Sequence, residues 1–272
     1  MSLKLIHVSE QKPLFVALEK FVLPHEKFCS VLYEKILLKD ESVYAIMGDD
    51  IQGVFSFSRG NSFVCCIPKW NKEIKKMISD FFKNRKVFCI HGEESDVLKV
   101  ERILKNRYEQ KEIRNMFLME YDGRVYIDGS GPRTFVCGVE DCEKLMPLQT
   151  GFCREEVLPA WKEINLPLER MNLDKAVRNN TVYAVGDDSD IYTKANINMF
   201  SNKIIQISGV YTRNDLRGKG YASELVNRIA LIAEKVGRKA TLLVRQENIP
   251  AYNAYKKAGF GISGTYKIVY LK

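Results

Sequence analysis

At about 150 residues per domain, a chain of 272 residues holds just under two domains. Apolar residues at 46% and charged residues at 28% sit near the globular average, which excludes wholesale disorder. Forty-two Lys and Arg against thirty-four Asp and Glu leave +8, an excess that favours anionic partners without choosing among them.

No stretch reaches the roughly 18 apolar residues of a membrane span, so none is expected. The start, MSLKLIHVSE, lacks the order of a secretory signal. Seven cysteines, all at or before Cys153, predict reduced thiols in a cytoplasm rather than a disulfide framework. Three His residues argue against a His-rich metal site. Cys137 and Cys142 have no second nearby pair, which argues against zinc.

The first forty residues read as helix, with one apolar face at Leu14, Phe15, Leu18 and Phe21. Pro24 interrupts it before a second face at Phe28, Val31, Leu32 and Ile36. Strands are predicted at 43–47, 54–58 and 63–67, separated by the turn clusters Gly48-Asp49-Asp50 and Gly60-Asn61. Helical spacing follows at Ile74, Met77, Ile78, Phe81 and Phe82, then a strand at 87–90, a helix at 97–108 and a strand at 116–119. Asp122-Gly123 and Asp128-Gly129-Ser130-Gly131-Pro132 form the most turn-rich stretch, where a domain boundary is expected.

The second half repeats this order. A strand is predicted over 134–139, a helix over 140–152, and a helical region over 155–177 interrupted near Pro167. Val182-Tyr183-Ala184-Val185-Gly186-Asp187-Asp188 then echoes Val43-Tyr44-Ala45-Ile46-Met47-Gly48-Asp49-Asp50. The same match in the same place predicts an internal duplication.

Residues 204–212, rich in β-branched side chains, read as a strand. Arg213 to Ala222 follow as a basic glycine loop, and Ala222, Leu225, Val226, Ile229, Ala230, Ala233 and Val236 form a helical stripe stopped at Gly237. Gly218 and Gly220 permit backbone angles closed to other residues. The unpaired N–H groups of the following helix start suit a phosphate, with Arg217 and Lys219 adding charge. A Gly-x-Gly alone would better suit an ordinary strand-to-helix turn. The spacing is that of neither a nucleotide triphosphate loop nor a dinucleotide fingerprint, whose third glycine position holds Ser223.

Arg217-Gly218-Lys219-Gly220-Tyr221-Ala222 resembles Arg/Gln-x-x-Gly-x-Gly/Ala, the coenzyme A loop of the GNAT acetyltransferase superfamily. Asn248, Ala251, Tyr255, Gly259 and Phe260 resemble that superfamily's Asn-x-x-Ala-x-x-x-Tyr-x-x-x-Gly-Phe signature. The two motifs flank a predicted strand at 240–245, and the resemblance covers about residues 133–272. The Val210-Tyr211-Thr212 lead-in looks most like the glycine N-acyltransferase branch, whose members carry a degenerate copy of the fold in front. The implied fold is α/β with a mixed α+β sheet. It is a tandem GNAT-like fold, with a degenerate half at 1–128 and a complete acyl-CoA N-acyltransferase domain at 133–272.

The resemblance implies acetyl-CoA as acyl donor, no metal, and a small amine or amino acid as acceptor. Val210, Tyr211 and Thr212 would bind the pantetheine arm with free backbone groups and polarise the thioester. Arg217, Gly218, Lys219, Gly220, Tyr221, Ala222 and Ser223 would hold the pyrophosphate. Asn248 would orient the coenzyme arm and the last helix. Tyr255 is the candidate acid: a phenol near pKa 10 can protonate an adjacent thiolate near 8.5. Tyr252 is its substitute. The base is left open: residues 203–209 hold no carboxylate, deprotonation through water serves equally, and Glu155, Glu156, Glu163 and Glu169, on helices that in relatives border the acceptor site, read more readily as solvated helix charges. The first half lacks both signatures, with Ile67-Pro68-Lys69-Trp70 in place of the basic loop. The alternative is a non-catalytic coenzyme-responsive or nucleic-acid-associated protein. The scattered basic residues and absence of a nucleic-acid motif weigh against nucleic acid.

Overall fold

A computed structural model of the chain describes residues 3–10, 13–123, 133–201 and 203–272. It divides into two compact units, Met1–Met116 with Gly264–Lys272, and Phe117–Ser263. The turn-rich stretch at Asp128–Pro132, where the sequence places a boundary, lies outside the described residues.

In the first unit the order is β1 (Lys4–His7), α1 (Leu14–Val22), α2 (Ser30–Leu37), β2 (Val43–Met47), β3 (Ile51–Phe57) and β4 (Ser62–Cys66). Then come α3 (Lys72–Phe81), β5 (Cys89–Glu93), α4 (Glu94–Leu104) and β6 (Gln110–Tyr121), whose end from Phe117 belongs to the second unit. The second unit holds β7 (Arg133–Val136), α5 (Cys142–Phe152), a π-helical turn (Cys153–Val157), α6 (Leu166–Arg178), β8 (Val182–Gly186), β9 (Ile191–Phe200) and β10 (Ile204–Thr212). It continues with α7 (Tyr221–Lys235), β11 (Lys239–Arg245), α8 (Ile249–Lys257) and β12 (Phe260–Leu271), which joins the first unit from Gly264. Both units therefore run strand, two helices, three strands, helix, strand, helix, strand.

Strand order is β1-β2-β3-β4-β5-β12 in the first unit and β6-β11-β10-β9-β8-β7 in the second. The last strand closes the first unit's sheet antiparallel to β5, Tyr266 opposite Glu93 and Tyr270 opposite Cys89. Phe55, Phe63, Phe81 and Phe82 form the first unit's aromatic core, with edge-to-face pairs at 4.9 Å (Phe55–Phe81) and 5.0 Å (Phe63–Phe82). In the second unit the stripe Leu225, Val226, Ile229, Ala230 and Ala233 of α7 packs against Ile205, Ile207, Leu242 and Val244. Leu145 and Leu148 of α5, with Leu173 and Val177 of α6, pack against Val182, Ala184 and Ile191. Each fully buried Leu, Ile or Val stabilises the fold by about 1.5–3 kcal/mol, which fixes the sheet that carries the loop.

Several elements differ from the sequence expectation. Residues 4–7 are strand rather than helix, paired with β2 from Lys4↔Met47 to His7↔Tyr44; four residues show no period, and only the partner makes the strand. Pro167 starts a helix rather than interrupting one. It lies in the first turn of α6, where its missing N–H costs nothing, and the Asn165 side chain caps the Leu168 amide at 3.0 Å. The preceding helix ends in the π turn, and residues 158–165 are not helical. β12, one of the longest strands, has no counterpart in the sequence reading.

Candidate functional site

The site begins where β10 loses its neighbour. Its first half pairs in parallel with β11, from Ile204↔Lys239 to Ile207↔Leu242. β10 then runs on to Thr212 without further β11 pairs. On the β9 side the register slips between Ser208, opposite Asn196, and Tyr211, opposite Lys194. Gly209 and Val210 therefore face the single residue Ala195, a β-bulge with Gly209 at φ +61°. β10 and β11 thus part ahead of Val210-Tyr211-Thr212.

The chain then turns through a 3-10 segment, Asn214–Leu216, into Gly218 at φ +81° and Gly220 at φ +90°. A Cβ on either glycine would meet nothing within 4 Å, so both are needed for conformation and the space around them is open. Gly220 is the N-cap of α7 and supplies no capping side chain. The first helical bond runs from the Glu224 amide to the Gly220 carbonyl at 3.1 Å. The Tyr221, Ala222 and Ser223 amides precede it at the positive end of the helix dipole. This chemistry fits a diphosphate.

The predicted loop residues are not all equally disposed. Lys219 is exposed, Tyr221 packs its ring 5.3 Å from Tyr192, and Ser223 is buried. Arg217 is engaged: its Nη2 donates to Glu155 Oε2 at 2.9 Å and its Nε to the Thr212 carbonyl at 3.3 Å. The Tyr211 hydroxyl donates to Glu155 Oε1 at 2.6 Å. Burial pushes the Glu155 carboxyl upward, but these two donors outweigh it and leave its pKa below the ordinary value.

On α8, Asn248 is the N-cap: its Oδ1 accepts from the Ala251 amide at 3.1 Å, and its Nδ2 donates to Glu156 Oε1 at 2.9 Å. Arg245 donates from Nη2 to the Glu156 carbonyl at 2.9 Å, and its Nε lies 3.3 Å from Glu156 Oε2 in an ion pair without hydrogen-bond alignment. Tyr255 is buried two helical turns further along, among Ala258 and Phe260. Burial, with the Glu156 carboxylate second, raises its pKa well above that of a free phenol. The phenol is therefore protonated at neutral pH and a weaker acid than a free one. Tyr252 is half-buried, its ring 5.8 Å from Phe117.

A family profile described as FR47-like protein matches residues 191–268, from β9 into β12. An acetyltransferase from the GNAT family of Colwellia psychrerythraea superposes on 100% of this chain and 99% of its own at TM-score 0.67 and 9% identity. A GCN5-related N-acetyltransferase from Sphaerobacter thermophilus covers 88% of this chain and 85% of its own at TM-score 0.59 and 13% identity. A tandem GNAT protein from the clavulanic acid biosynthesis pathway covers 85% and 82% at TM-score 0.53 and 8% identity. The chain has the tandem GNAT fold. No curated protein sequence matches it.

Within this GNAT fold the π turn at Cys153–Val157 has no signal in the sequence. Glu155 and Glu156, expected as solvated charges, are engaged: one holds Tyr211 and Arg217 while the other holds Arg245 and Asn248. Both carboxylates lie in the π turn, and π turns recur at functional sites. Of the other two carboxylates, Glu163 is exposed and Glu169 accepts from Gln149 Nε2 at 2.8 Å and from the Cys153 thiol at 3.0 Å. No local sequence signal marks these differences.

Proposed function

We propose that the chain is an acetyl-CoA-dependent N-acetyltransferase acting on a primary amine of a small molecule or amino acid, by direct attack in a ternary complex. One observation carries it: the parting of β10 from β11 leads through an open, positive-φ glycine loop into an uncapped helix start. When bound, the coenzyme supplies the acyl group as a thioester. The amides of Tyr221, Ala222 and Ser223, with the Arg217–Gly220 loop, hold its diphosphate. The backbone of Val210, Tyr211 and Thr212 receives the pantetheine arm, and the Val210 amide polarises the carbonyl. Tyr255 delivers the proton to the departing sulfur. Asn248 and Glu156 fix the start of α8, which carries that phenol. Glu155 is committed to two donors and held more acidic than usual, which disfavours it as the base.

The matching element order, the Val210-Tyr211-Thr212 lead-in and the missing loop in the first unit support a branch like the glycine N-acyltransferases. On this reading the unit before the turn-rich stretch is a degenerate copy and residues 133–272 are the working domain. Seven free, buried thiols suit a reducing compartment such as the cytoplasm. No helix among the described residues is long and apolar enough to cross a membrane.

The test is calorimetry with coenzyme A, followed by thiol release from acetyl-CoA across amino acids, polyamines, aminoglycosides and peptides. Binding heat and release with at least one amine are expected. Absence of binding sinks the reading. Binding without release on any amine favours a coenzyme-responsive binding module instead.

A further inference from the structure

The reaction as described leaves the amine of Lys194 without a part. Its side chain on β9 is fully buried, with the Phe152 ring of α5 centred 5.5 Å from Nζ. An ammonium stripped of water is costly, and an aliphatic side chain would fill the space without that cost. Nζ donates to two oxygens, Asn196 Oδ1 at 2.9 Å and the Gly209 carbonyl at 3.1 Å. Gly209 opens the bulge. A Cβ there would lie 3.0 Å from Asn196 Oδ1 and 3.1 Å from Nζ, so the missing side chain leaves the room that the amine and amide occupy. Three residues on two strands are thus arranged around one carbonyl.

Peptide planarity tells what that carbonyl does. The chain holds no cis peptide among the described residues, so the Val210 N–H points opposite to the Gly209 C=O. With the carbonyl held by Lys194, the Val210 amide is directed away from the amine. Val210 has no register partner on β9 or β11. A cation on the carbonyl also polarises the peptide and makes its N–H a stronger donor. We propose that Lys194 is a positioning residue for acyl transfer, holding the 209–210 peptide so that the Val210 amide meets the negative charge developing on the thioester oxygen. This rests on the acyltransferase reading above.

Burial lowers the Lys194 pKa to about 8, against the opposing pull of Cys153, Cys137 and Glu169. These are the titratable groups facing it, from the π turn, the segment after β7, and α6. Both thiols are pushed to about 12, chiefly by burial. Above pH 8 the amine loses its charge and becomes a weaker donor to Gly209.

The experiment follows the Val210 amide by ¹⁵N NMR in the ligand-free protein from pH 6.5 to 9.5, beside kcat and coenzyme affinity. The amide should titrate near pH 8 in the unaltered protein and not in Lys194→Met. That variant should keep coenzyme affinity within about threefold and lose roughly ten- to a hundredfold in kcat, less than deleting an oxyanion donor. Should Lys194→Met not fold, Asn196→Asp decides: a carboxylate beside the amine should move the Val210 midpoint up by about one pH unit. A Val210 amide indifferent to pH near 8, an unmoved midpoint in Asn196→Asp, or unchanged kcat in Lys194→Met overturns the proposal alone. A titrating amide in a protein that releases no thiol with any amine overturns the acyltransferase reading, and the catalytic role of Lys194 with it.

Discussion

The two units make the same junction, strand into helix, to opposite ends. In the first, β4 pairs with β3 in unbroken register from Phe57↔Phe63 to Val54↔Cys66, with no bulge. The chain then passes through Ile67-Pro68-Lys69-Trp70 to α3. There the Asn71 side chain caps the helix by accepting from the Ile74 amide at 2.8 Å. A carboxylate of the unit's own, Asp96, is buried beneath the loop and accepts from the Trp70 indole at 2.7 Å and the Ile67 amide at 3.3 Å. In the second unit the register slips at Gly209, two glycines at positive φ open the loop, and no side chain caps α7. The lesson is that element order does not make an anion site. Whether the helix start is already satisfied from within does.

The sharpest break of this contrast is Gly220→Glu, which sets a carboxylate at the bare start of α7. Coenzyme A affinity should fall roughly a hundredfold or more, read by calorimetry, with the fold checked by circular dichroism. An affinity that survives would mean the α7 start is not the diphosphate site. Tyr255→Phe should lower kcat about a hundredfold with the dissociation constant for coenzyme A almost unchanged. Normal turnover in that variant would remove the phenol from the mechanism and turn attention to Tyr252. On the closed side, Asp96→Ala strands the Trp70 and Ile67 donors and should cost about 2 kcal/mol in chemical denaturation. Asn71→Ala should cost about 1 kcal/mol, the usual loss of a helix cap. Neither closed-side change should alter coenzyme affinity; a tenfold effect from either would contradict the contrast.

Local rules made the open junction legible beforehand. Gly218 and Gly220 stand where the backbone needs positive φ, and the apolar stripe from Ala222 to Ala233 can only be a helix facing a sheet. Asn248, which the resemblance implied would orient the last helix, is the N-cap of that helix in the structure. The repeated order of strands and helices was likewise visible apart from β1 and β12, because hydrophobic period is a property of neighbouring residues.

Other features needed residues far apart to meet. Glu155 finds its partners 56 and 62 positions away, Glu156 its partner at Asn248 92 away, and no window of sequence contains both ends. Four-residue β1 exists because β2 lies beside it. The final strand leaves its own half to pair with β5, a choice that no periodicity encodes. The direction of the Gly209 carbonyl, and so of the Val210 amide, depends on where a lysine of the adjacent strand ends after folding. Backbone angles and helical faces are set by a residue and its nearest neighbours. Which charge meets which donor is set by packing across the chain.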